Sequence, residues 1–139
     1  MVIRQLQDFT EEATLTDATG ESKYITRKIN LENPATQLKL LMDINVPSET
    51  DFDIYYKIGS AAQDFNTLVW DLFDLKPTVN KENDRLIFSE YECNITDFDS
   101  QGTPLDLPEF TAFQFKIVMR STNAARIPAF RSFRVIAHA

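Results

Sequence analysis

The sequence predicts an all-β fold, an antiparallel two-sheet sandwich or jelly roll of about seven strands, on three observations. Apolar residues recur at every second position in successive stretches, the period of a half-buried strand. Polar runs carrying Pro, Asn and Asp separate these stretches, and none of them keeps a long helical period. Eleven Phe and four Tyr supply enough bulky apolar surface to close one core in 139 residues without covalent staples.

The elements follow in chain order. Residues 1–23 include the polar, acid-rich run EEATLTDATGES and read as an arm or linker ahead of one domain over residues 24–139. From Tyr24, 24-YITRKINL-31 puts Ile25, Ile29 and Leu31 on one side, and ENPAT then reads as a turn. Next, 38-LKLLMDINV-46 aligns Leu38, Leu40, Met42, Ile44 and Val46, and 52-FDIYYKI-58 aligns Phe52, Ile54, Tyr56 and Ile58. Three strands so close in the chain suggest antiparallel neighbours.

Between Gly59 and Asn83 no clean period holds, so this stretch reads as a long loop whose centre, 68-LVWDLF-73, forms a short strand or a helical turn. Alternation returns in 86-LIFSEYECNI-95, with Ile87, Tyr91, Cys93 and Ile95 on one face. A second loop leads to 112-AFQFKIVMR-120, the clearest strand, with Phe113, Phe115, Ile117 and Met119 inward. The last strand, 130-FRSFRVIAHA-139, turns Phe133, Val135 and Ala137 inward, and the loop STNAARIP before it suggests a closing hairpin. Only three Gly favour longer loops at the ends of a sandwich over a tightly turned barrel.

Composition narrows the partners. Fourteen Lys and Arg against 21 Asp and Glu leave a net charge of -7, which repels phosphate backbones and anionic headgroups, so no nucleic acid is expected. Arg120, Arg126, Arg131 and Arg134 crowd the last strands and read as their outward faces and turn. A single cysteine cannot close an intrachain disulfide. No run reaches the ~18 apolar residues of a spanning helix, so no membrane insertion is expected, and the start MVIRQLQDF has no signal-peptide core. Folding in a cytoplasm is the expectation.

Catalysis is not expected. His138 is the only histidine and stands one residue from the end, so neither a His-based triad nor a multi-His metal site can be built in one copy. Cys93 falls on an apolar strand face and reads as a packing thiol. No cofactor is expected, with calcium as the one alternative. In 97-DFDSQG-102, Asp97, Asp99 and Gly102 copy the first half of a calcium loop, but Pro108 stands where its last ligand would be. The run therefore reads first as a solvated acidic turn. Trp70, Phe73 and Tyr55 are candidates for stacking on sugar rings, although aromatics at strand spacing more often belong to the core.

Certain strands carry a resemblance. Y-I-T-R-K at 24–28, I-Y-Y-K at 54–57 and the closing pair F-Q-F-K-I-V-M-x-S-T-N and R-x-x-R-V-I-A resemble a β-domain of virion structural proteins of contractile-tailed bacteriophages, notably those infecting marine cyanobacteria. The resemblance covers residues 22–139 and implies a virion component of the tail, baseplate or fibre, assembled in the host cytoplasm. It further implies a homo-oligomer or contacts with other virion proteins, and it brings no catalytic residues. A carbohydrate-binding or receptor-binding jelly roll is the alternative, with a glycan as ligand.

Overall fold

Alternating apolar side chains build ten β-strands, seen in a computed structural model that describes residues 23–73, 76–122 and 126–139. They are β1 (Lys23–Ile25), β2 (Ile29–Ala35), β3 (Gln37–Asn45), β4 (Thr50–Gly59), β5 (Asp71–Leu72), β6 (Ser89–Ile95), β7 (Asp97–Phe98), β8 (Pro104–Leu105), β9 (Phe110–Ser121) and β10 (Ala129–His138). The expected arm lies outside the described residues, apart from Lys23, which opens β1.

Two antiparallel sheets form the sandwich. A five-stranded sheet runs β1-β9-β4-β5, with β2 also pairing β9, and a three-stranded sheet runs β10-β3-β6. A small β7-β8 ribbon stands apart. Between the sheets Leu38, Leu40, Met42 and Ile44 of β3 join Tyr91, Cys93 and Ile95 of β6, Phe52 and Ile54 of β4, and Phe113, Phe115 and Ile117 of β9. Edge-on aromatic contacts tie the layers: Phe52 meets Tyr91 at 5.4 Å and Phe130 at 5.0 Å, and Phe115 meets Phe133 at 6.2 Å. The even-numbered face of β3 is buried as its alternation predicts.

Pairing differs from the sequence expectation. β2, β3 and β4 are not ladder neighbours: β2 and β4 both pair β9, whereas β3 pairs β6 and β10. Nor do β9 and β10 form a hairpin, because β10 crosses to the other sheet and pairs β3 from Ala129↔Asn45 to His138↔Gln37. Alternation states which face of a strand is apolar and leaves its neighbour open.

Local chemistry accounts for the irregularities. The strand expected over 24–31 breaks at Thr26, whose Oγ1 accepts the Phe115 N–H at 3.0 Å while its own N–H donates to the Phe115 carbonyl at 2.9 Å. Gln114 Nε2 caps the Thr26 carbonyl at 2.7 Å, so the ladder's polar groups stay paired across the break. Ile25, expected on the inward side, is exposed rather than core, as is Tyr24 beside it. Of the expected ENPAT turn, residues 32–35 instead continue β2, and only Thr36 bends before β3. Ile87 also lies outside its strand and is exposed, since β6 begins at Ser89.

In β10, Phe130 and Phe133 stand three apart, which in a regular strand would put them on opposite faces. A bulge between Arg131 and Arg134, with Ser132 at φ 56°, inserts the extra residue that turns both rings toward the core.

Candidate functional site

The outer face of the five-stranded sheet holds a second cluster. Opposite the inward Phe52 and Ile54, strand β4 presents Asp53, Tyr55 and Lys57, and β9 presents Lys116 and Val118; all five are buried. They are covered because the chain after β4 folds back. Asp64 caps a 3-10 turn over Phe65–Thr67, accepting the Asn66 N–H at 2.9 Å, and β5 then pairs β4 through Tyr55↔Leu72 and Tyr56↔Asp71. This brings Trp70 against Tyr55 and Val118.

Trp70 is flanked by two ammonium groups, Lys57 Nζ at 4.4 Å and Lys116 Nζ at 5.1 Å from its ring centroid. Lys116 also stands 4.8 Å from the Tyr55 ring, and Lys57 donates to the Phe65 carbonyl at 2.8 Å. Ring faces replace part of the water these cations lose. Burial nevertheless pushes the Lys57 pKa below its ordinary value, against the partly opposing charge of Asp64.

A charged network closes one end of the sandwich. Arg120 Nη2 donates to Asp53 Oδ1 at 3.0 Å, and its Nε lies 2.8 Å from Asp53 Oδ2 in an ion pair not aligned as a hydrogen bond. Lys76 Nζ reaches Asp51 Oδ1 at 3.2 Å, and Arg120 lies 3.6 Å from the other Asp51 oxygen. The two carboxyls shift in opposite directions. Burial raises the Asp53 pKa and outweighs the Arg120 guanidinium, whereas for Asp51 burial is overcome by the Phe52 N–H and the Lys76 ammonium, so its pKa is lowered.

The sequence candidates land in different places. Tyr55, Trp70 and Phe73 are 1%, 4% and 6% exposed, so none offers a ring face to a sugar; their reading as stacking residues is corrected to core. Phe73 packs in the main core, and Tyr55 and Trp70 in the outer cluster. Asp97 and Asp99 are committed to backbone. Asp99 Oδ1 accepts the N–H groups of Gln101 at 2.8 Å and Thr103 at 2.9 Å, closing the β7-β8 turn where Gly102 takes φ 80°. Asp97 Oδ1 accepts the Phe98 N–H at 2.8 Å. Among the described residues no three His, Cys, Asp or Glu side chains gather as for one metal ion.

Two open grooves flank the β7-β8 ribbon. One, of about 440 Å³, includes Gln37, Lys39, Asp106 and His138. The other, of about 490 Å³, sets Asp71 and Asp97 beside Tyr56 and Phe98. Burial raises the Asp71 pKa and the nearby charge of Asp97 adds to it, so the two carboxylates feel one another there. The sequence singles out Asp97 but does not place Asp71 beside it; the β4-β5 pairing carries Asp71 there.

Cys93 is buried at 2% exposure, and burial pushes its thiol up to about 12, with Lys76 opposing and Glu92 adding to the shift. At pH 8 the folded chain is expected to react with a thiol-specific disulfide reagent only as fast as unfolding exposes the sulfur. Immediate stoichiometric labelling would contradict that burial.

Fold and surfaces define an antiparallel β-sandwich whose buried polar groups serve its packing. Compared with known proteins, the chain matches no family model, no curated protein and no solved structure.

Proposed function

We propose that the chain is a structural module of a tailed-bacteriophage virion, a part of the tail, baseplate or fibre that acts through protein-protein contacts and not as an enzyme. The observation that carries this reading is the three-stranded sheet, which ends in β10 on one side and β6 on the other with no further strand among the described residues. Such edges present backbone N–H and C=O groups to another chain. Exposed Leu86, Ile127 and Val69, at 87%, 69% and 59%, add apolar side chains at the surface. The likeness of the β1, β4, β9 and β10 sequences to phage virion domains supplies the context.

Antibody against the folded domain, applied to purified particles of the phage that encodes it, is expected to label the tail or baseplate in electron micrographs. Unlabelled particles would remove the virion reading. They would favour the second one, a carbohydrate-binding module, whose remaining place is the groove of Tyr56, Phe98, Asp71 and Asp97, where rings and carboxylates meet as sugar recognition requires.

A further inference from the structure

The three-stranded sheet is charged oppositely at its two edges. Its register sets outward residues in rows across β10, β3 and β6: Arg131, Asp43 and Glu90 in one, Arg134, Leu41 and Glu92 in the next, Ile136, Lys39 and Asn94 in the third. The β10 margin is therefore basic and the β6 margin acidic. Because both strands run antiparallel to β3, they run parallel to each other, and Arg131 stands level with Glu90 as Arg134 does with Glu92.

We propose that a second copy of this chain docks its β10 edge against the β6 edge of the first, extending the sheet head to tail with Arg131 facing Glu90 and Arg134 facing Glu92. The inference rests on the assembly reading and names its interface. Moving one copy sideways across the sheet brings each arginine to a glutamate without any shift along the strands. A slip by one residue would instead turn the facing side chains to opposite sides of the sheet. Like edges brought together would set glutamate against glutamate or arginine against arginine, so the charges select the mixed pairing.

The backbone ladder runs beyond the Ser132 bulge, from Arg134 to Ala137 against Glu92 to Ile95, and Arg131 meets Glu90 at its margin. Within one copy Glu92 already lies 2.9 Å from Lys39, and Arg131 lies 3.7 Å from Asp43. These ion pairs are partly exposed and exchange partners at little cost, and Arg131 also gives up its place 4.0 Å over the Phe88 ring. Each docked copy keeps one edge open, so the contact repeats, and strand twist turns the series into a ring or an open helix.

Sedimentation velocity on the full chain over a concentration series tests this. The wild type is expected to associate, and Glu90→Arg with Glu92→Arg, or Arg131→Glu with Arg134→Glu, to weaken association at least tenfold. An equimolar mixture of the two variants restores it, because one variant's basic β6 edge then meets the other's acidic β10 edge. A wild type that stays monomeric, reversals that leave association intact, or a mixture that fails to recover would each overturn the interface.

Circular dichroism verifies that the variants fold. Should a reversal pair not fold, Asn94→Cys mixed with Ile136→Cys under oxidation is expected to give a disulfide-linked dimer that neither variant forms alone, and absence of that dimer overturns the proposal. Particles that carry the label while the chain stays monomeric would remove this interface and leave the virion reading standing. Association without particle label would do the reverse.

Discussion

Phe115→Ala is expected to destabilise the domain by about 4 kcal/mol, within the ~3–5 kcal/mol typical of emptying a buried Phe site. Phe115 is fully buried on β9, the central strand of the larger sheet, and touches Phe113 at 5.9 Å and Phe133 at 6.2 Å edge-on. Removing its ring opens a cavity between the sheets that rigid strands on both sides cannot collapse to fill. Against a total stability of roughly 5–15 kcal/mol, that loss alone brings the domain near its unfolding threshold. Phe115→Leu keeps most of the volume and is expected to cost less than half as much. Urea unfolding followed by Trp70 fluorescence measures both. A Phe115→Ala cost below about 1 kcal/mol would mean that the sheets do not pack on this ring.

The inner faces were legible in the sequence for a physical reason. Where one face of a strand meets a core, every second residue must be apolar, and Leu38, Leu40, Met42 and Ile44 of β3 show this without interruption. Strand partners were not legible, because the same alternation suits any neighbour. The loop before β10 read as a hairpin connection, whereas it carries the chain from one sheet to the other.

The outer cluster failed for a different reason. Lys57 and Lys116 lie opposite the inward residues of their strands, where lysine ordinarily keeps its water, and their burial depends on Trp70 arriving from the segment that returns over β4. Signals were present in Tyr55 and Val118, bulky apolar residues on strand faces that alternation assigned to solvent. The apolar run Leu68, Val69, Trp70 in an apparent loop was a third. A second core on the outer sheet face accounts for Tyr55, Val118 and Trp70, whereas Val69 stays exposed. The sugar-stacking reading fails on burial: Tyr55 and Trp70 lie within that outer cluster and Phe73 within the main core. The register behind the opposed sheet edges was equally hidden, because Glu90 and Arg131 become level only through their shared partner Asp43.

Arg120→Met is expected to cost about 3 kcal/mol at pH 7, the low end of the ~3–5 kcal/mol for breaking a buried ion pair, since the Arg120 side chain is 24% exposed. The cost arises from what remains: Asp53 stays largely buried with its main countercharge gone. Its pKa is already raised by burial against the pull of Arg120, and losing that pull raises it further. A folded-state pKa above the unfolded value means that ionised Asp53 costs stability above the folded pKa and that the cost disappears below the unfolded one. The deficit of Arg120→Met relative to wild type is therefore largest at neutral pH and shrinks as pH falls through the raised Asp53 pKa toward the ordinary value of 3.8. Asp53→Asn combined with Arg120→Met removes both charges and is expected to recover much of the loss, because an amide in that place needs no countercharge. Urea midpoints of wild type and the two variants at pH 7 and pH 5 test this. A deficit that grows on acidification, or a double variant no more stable than Arg120→Met, would show that Arg120 supports the fold through its packing and not through the charge of Asp53.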